Sequence, residues 1–83
     1  MVSVAFYGRL ADAAWRELRA LDVPSEIATI GALRTWLPSI APSLADQLDP
    51  AFVRAAIGAT LVGDEAALTS ASEVAFLPPV SGG

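Results

Sequence analysis

A single stretch with helical spacing, residues 29–37, lies in the middle of the chain with strand-like segments before and after it. Ile30, Leu33 and Leu37 recur on one helical face, Ala32 and Trp36 flank that stripe, and Ile40 is its next member if the helix runs on. Thr29 is placed as the N-cap. Pro38 has no amide hydrogen and disfavours helical backbone at Leu37, so the helix is predicted to stop or kink there, with Pro42 ending any continuation. A chain with only one such helix has few ways to cover a sheet.

The sheet is read from the segments around it. Residues 2–7 open with alternation and β-branched or aromatic side chains, the pattern of a strand. Residues 8–14 read as a turn or a short helical turn. Residues 15–21 alternate with mixed character, which suits an exposed second strand and an N-terminal hairpin closed by Pro24 and Ser25. Residues 43–50 read as a loop with a helical turn at 44–48. Residues 52–57 and 60–62 follow as short strands around Gly58, 63–65 reverse the chain, and 73–77 form the last strand. A crossover from the hairpin through the helix allows the first and last strands to pair in parallel, with the helix on one face. The expected fold is therefore α+β: a β-grasp roll with a mixed sheet of four to five strands and one main helix, over residues 1–77.

Composition removes most chemistry. Cysteine, histidine and lysine are all absent, so there is no thiolate, no imidazole base or ligand, and no amine for Schiff-base formation. The serines have no base to activate them. The closest acidic pairs, Asp46 with Asp49 and Asp64 with Glu65, read as solvated turn residues, so no metal site is expected. All basic residues are arginines (Arg9, Arg16, Arg19, Arg34 and Arg54), and against nine carboxylates they leave a net charge of −4, which argues against a nucleic-acid partner. Apolar residues make up 54% of the chain, leaving open either an apolar patch that binds a partner or an ordinary alanine-rich surface. Uncharged stretches such as 55–63 fall far short of the roughly 20 residues that cross a bilayer, so no membrane association is expected. No basic segment followed by a long apolar one opens the chain, and cytoplasmic residence is the expectation.

What remains is the tail, Pro78-Pro79-Val80-Ser81-Gly82-Gly83. The prolines favour a stiff extended base, and the two glycines carry no side chain to block a narrow channel. The α-carboxylate is anionic at neutral pH and a poor electrophile. An ATP-dependent enzyme could convert it to an acyl-adenylate. A sulfur donor would then give a thiocarboxylate, and a lysine amine of another protein an isopeptide bond.

Residues 73–83, Glu-Val-Ala-Phe-Leu-Pro-Pro-Val-Ser-Gly-Gly, resemble the C-terminal signature of the small subunit of molybdopterin synthase, the MoaD-type sulfur carriers of the ubiquitin-like family. Residues 2–7, 29–33 and 56–62 extend the resemblance over the chain. It implies that Gly83, carried by Gly82, is adenylated by an activating enzyme that uses ATP, then thiocarboxylated, with no cofactor bound by the chain itself. It implies a large synthase subunit as partner, in an assembly of two small and two large subunits, where sulfur passes to cyclic pyranopterin monophosphate. Partner contacts would involve Tyr7, Leu61, Phe76 and Leu77, together with Pro78, Pro79, Val80 and Ser81 of the tail. Strand alternation puts Phe76 and Leu77 on opposite faces, so at least one should lie outside the helix-covered core. The sequence departs from the family pattern at Ser70-Ala71-Ser72, Gly58 and Ala11-Asp12, all outside the tail. A carrier for thiazole or cysteine synthesis, a ubiquitin-like protein modifier, and a binding module with an inert tail are the alternatives.

Overall fold

Strand alternation along β1 (Val2–Phe6) sets the two faces of the sheet: Val2, Val4 and Phe6 join the core cluster, while Ser3 and Ala5 belong to the other face, where Ala5 is also buried. The computed structural model describes residues 1–69 and 72–78. After a short helical turn, α1 (Leu10–Ala13), the chain returns as β2 (Arg19–Leu21), antiparallel to β1. The helix α2 (Ile30–Trp36) crosses the inner face, then β3 (Arg54–Ile57), β4 (Thr60–Val62) and β5 (Glu73–Leu77) complete the sheet. The strand order is β2-β1-β5-β3-β4, with β1 and β5 parallel and the other neighbours antiparallel. The last strand is the central one, and it pairs in parallel with the first, as the crossover argument allowed.

The helix obeys its sequence signals. Thr29 Oγ1 accepts from the Ala32 amide at 3.2 Å, a cap whose loss costs about 1 kcal/mol. Ile30, Leu33 and Leu37 are fully buried against Val4, Phe6, Val74 and Phe76. At Pro38 the backbone tightens into a 3-10 turn, Leu37–Ser39, and a second follows at Pro42–Leu44. Ile40 therefore does not continue the stripe: it is 46% exposed, because the change of period rotates it out of the core. Leu44 and Leu48 are buried instead, and the helical turn expected at 44–48 lies two residues upstream.

Two strands begin later than predicted, and the first ends one residue early, at Phe6. Trp15 does not join an exposed strand. Its ring meets Phe6 edge-on at 5.0 Å between centroids, and its indole N–H donates to the Val4 carbonyl at 2.7 Å. Phe6 in turn stacks on Phe76 at 5.6 Å. Packing and a satisfied indole outweigh the local alternation. β3 begins at Arg54 because the amides of Phe52 and Val53 both donate to the Asp49 carbonyl at 2.9 Å, holding a turn where strand was expected. The β3–β4 connection is the two-residue loop Gly58-Ala59. Gly58 has φ +62°, the left-handed backbone that glycine tolerates at the first position of a tight hairpin turn.

Candidate partner-docking face and tail root

The side of the sheet away from α2 is assembled by strand register. Phe6 pairs with Phe76, and the Tyr7 amide donates to the Phe76 carbonyl at 3.1 Å, so Tyr7 stands beside Leu77 at the end of the β1–β5 ladder. Leu77 pairs with Arg54 across the next gap, which gives the outward row Tyr7, Leu77, Arg54. The row behind it is Ala5, Ala75, Ala56 and Leu61, joined by the pairs Ala5↔Ala75, Ala75↔Ala56 and Ala56↔Leu61. Tyr7 is 50% and Leu61 62% exposed, with alanines as a shallow floor between them. Large apolar side chains bordering small ones on an unpartnered sheet face form the kind of surface that another protein covers.

The expected contact residues divide accordingly. Tyr7, Leu61 and Leu77 share this face; Phe76 does not. Its ring is fully buried between sheet and helix, so its place in the contact set is corrected. The physical reason is the two-residue period: if Leu77 faces outward, Phe76 must face inward. Pro79, Val80, Ser81, Gly82 and Gly83 lie outside the described residues.

Pro78 leaves the end of β5 against Gly8. A Cβ at Gly8, whose φ is +59°, would stand 2.7 Å from Pro78 Cγ, so the absence of a side chain there lets the proline pass. Two depressions meet at this root and share Phe52 and Pro78. One reaches towards Arg9 and Asp49, the other towards Tyr7, Arg54 and Leu77. Phe52, 63% exposed, is a residue the sequence reading placed in a strand and the fold places beside the tail root. Among the described residues there is no group of three or more Asp, Glu, His or Cys that could hold a metal, and no helix long and apolar enough to cross a membrane.

Arg34 is the structural residue that pattern alone could not reveal. It lies on α2, 8% exposed, with Nη1 donating to the carbonyls of Leu48 at 3.0 Å and Val53 at 2.9 Å. Nη2 and Nε donate to Asp64 Oδ1 at 2.7 and 3.3 Å. Its guanidinium also stands 5.5 Å from the centroid of the Phe76 ring. One side chain thus ties the helix to the loop before β3 and to the turn after β4. That loop carries Phe52, so Arg34 also braces one wall of the tail root.

Comparison with known proteins gives the site its context. The model of the ThiS family matches residues 4–83. The molybdopterin synthase sulfur carrier subunit of Escherichia coli strain K12 is 32% identical over 83 residues, covering 100% of both chains. Among solved structures, SAMP1 from Haloferax volcanii superposes with a TM-score of 0.78 at 23% identity, covering 99% of this chain and 98% of that one. A putative molybdopterin converting factor, subunit 1, from Pyrococcus furiosus gives 0.77 at 19% identity, covering 95% and 97%. Small archaeal modifier protein 1 from Methanosarcina acetivorans gives 0.73 at 22%, covering 99% and 95%. These structures share the ubiquitin-like β-grasp fold seen here. With the family match over nearly the whole sequence and end-to-end identity to a curated carrier, the chain belongs to the ThiS family of ubiquitin-like sulfur carriers.

Proposed function

We propose that this chain is the sulfur-carrier subunit of a molybdopterin synthase. The observation that carries the reading is the end-to-end similarity to the Escherichia coli carrier subunit. The apolar outer face beside the root of the tail supports it, because a carrier must dock as its tail is inserted. The Gly83 carboxylate attacks the α-phosphate of ATP on an activating enzyme, releasing pyrophosphate and leaving an acyl-adenylate. A sulfur nucleophile displaces AMP, and the resulting thiocarboxylate enters the large subunit. There its sulfur attacks cyclic pyranopterin monophosphate, and hydrolysis of the acyl-sulfur bond returns the carboxylate. The working assembly has two small and two large subunits.

The test is intact mass after incubation with ATP, a matching activating enzyme and a sulfur donor. A gain equal to one oxygen replaced by sulfur, lost when Gly83 is deleted, supports the carrier chemistry. An unchanged mass beside a converted control carrier refutes it. Capture of the large synthase subunit, abolished by Leu61→Glu, then assigns the pathway. Capture of a different sulfur acceptor would move the chain to thiazole or cysteine synthesis instead. A modifier role would show as conjugates on other proteins. With no lysine, this chain offers no side-chain amine on which to extend such a conjugate.

A further inference from the structure

Arg54 stands on the outer face, in its end row beside Leu77, without a counter-ion among the described residues. Arg16, Arg19 and Arg34 each have a carboxylate within 4 Å, on Asp12, Glu17 and Asp64. Arg54 has neither an ion pair nor a side-chain hydrogen bond among the described residues, although it is exposed on a chain with nine carboxylates. Two acidic residues come into question. Asp64 lines the same depression as Arg54, but its Oδ1 is engaged by Arg34 at 2.7 Å. Glu73 shares the outer face but sits four residues along β5 from Leu77, the register partner of Arg54, roughly 13 Å away at the rise of a strand.

Docking cannot leave this guanidinium in water. A contact that takes in Leu77 on β5 and Leu61 on β4 must cross β3, whose outward residues are Arg54 and Ala56. Adjacent strands are only about 4.8 Å apart. A stable interface covers about 800 Å² on each partner, a patch wider than the whole five-stranded sheet. Arginine stays protonated at any accessible pH, so it cannot lose its charge as it is covered. A buried, unpaired cation opposes association strongly, whereas a planar carboxylate facing it restores two hydrogen bonds and the charge balance.

We propose that the protein covering this face presents a carboxylate to Arg54, and that this pair sets partner choice within an otherwise apolar contact. The pairing rests on the docking reading above. It predicts an acidic side chain on the partner, ringed by apolar residues, beside the mouth of the channel that takes the tail. A matched charge pair of this kind holds register and rejects surfaces that are merely greasy.

The test measures Kd for the full-length chain and the large synthase subunit of the same organism at several salt concentrations. Arg54→Leu should weaken binding about ten- to a hundredfold and flatten its salt dependence, and Arg54→Glu should weaken it further. A carboxylate-to-amide scan of the partner should find one position whose loss costs the unaltered chain affinity and costs Arg54→Leu nothing. Arg16→Ala, at an exposed pair on α1, should leave Kd unchanged, and matching urea midpoints would confirm that every variant is folded. Arg54→Leu binding as tightly as the unaltered chain, with the same salt dependence, overturns the pairing while leaving the docking face intact. Failure of the unaltered chain to bind overturns the docking reading, and the pairing falls with it.

Discussion

Replacing Arg34 by alanine should cost about 3 kcal/mol of stability, and the cost should come from two backbone carbonyls rather than from the ion pair. Asp64 is 38% exposed on its side chain, so water and salt screen its attraction to Arg34, and an acid of that exposure contributes little on its own. The carbonyls of Leu48 and Val53 are in a different position, since both accept from Arg34 in buried hydrogen bonds. A buried acceptor left without a partner costs about 1–3 kcal/mol. Two of them at the lower end, together with the lost packing of the arginine stem, give the figure above. A chain of 83 residues has roughly 4–12 kcal/mol in all, so the variant should remain folded with a much lower urea midpoint. Arg34→Met combined with Asp64→Ala separates the causes. It removes both charges and keeps most of the stem, but the two carbonyls stay unpaired, so it should regain less than half of the loss. Recovery of near-native stability in that double variant would refute the reasoning and move the cost of Arg34→Ala to the Asp64 carboxylate left without its partner and to the lost stem.

Trp15→Phe keeps a ring against Phe6 but leaves the Val4 carbonyl without the indole donor, and should lower stability by about 1–2 kcal/mol in urea; Trp36, then the only tryptophan, reports the transition by fluorescence. Gly58→Ala meets open space but must hold φ near +62°, so thermal melting should show a loss of about 1 kcal/mol, and unchanged stability would mean that the turn relaxes. Leu61→Glu, on the outer face, should leave the unfolding free energy measured in urea within about 0.5 kcal/mol of the parent while abolishing capture of the large subunit. A comparable loss of stability would place Leu61 in the core instead.

The parts legible in the sequence were those fixed by nearest neighbours. Thr29, the Ile30–Leu33–Leu37 spacing and Pro38 each act within one turn of helix, so cap, stripe and stop all appear as read. The last strand, Glu73–Leu77, matches its predicted bounds because strict alternation runs through it, and the same alternation separates Phe76 from Leu77. Where reading fell short, the deciding partner lay far along the chain. Trp15 leaves its apparent strand for a carbonyl eleven residues back, and Arg34 finds its carbonyls fourteen and nineteen residues ahead. No local pattern encodes such bonds. The grouping of Tyr7 and Leu61 on one outer face was legible only through the family resemblance, since both look like core residues until register places them on the uncovered side.

The parallel pairing of β1 with β5 also has a mechanical meaning. β5 is held on both edges, four register pairs to β1 and four to β3, and the chain leaves its C-terminal end at Pro78. Tension applied through that end loads both ladders in shear, with every hydrogen bond sharing the strain. A strand at the margin of the sheet pulled crosswise would instead unzip one bond at a time. Force applied at that end is therefore passed to the domain as a whole. Pulled from the C-terminal end, the molecule should yield at higher force than when pulled across the β3–β4 hairpin, a difference that single-molecule stretching would read directly.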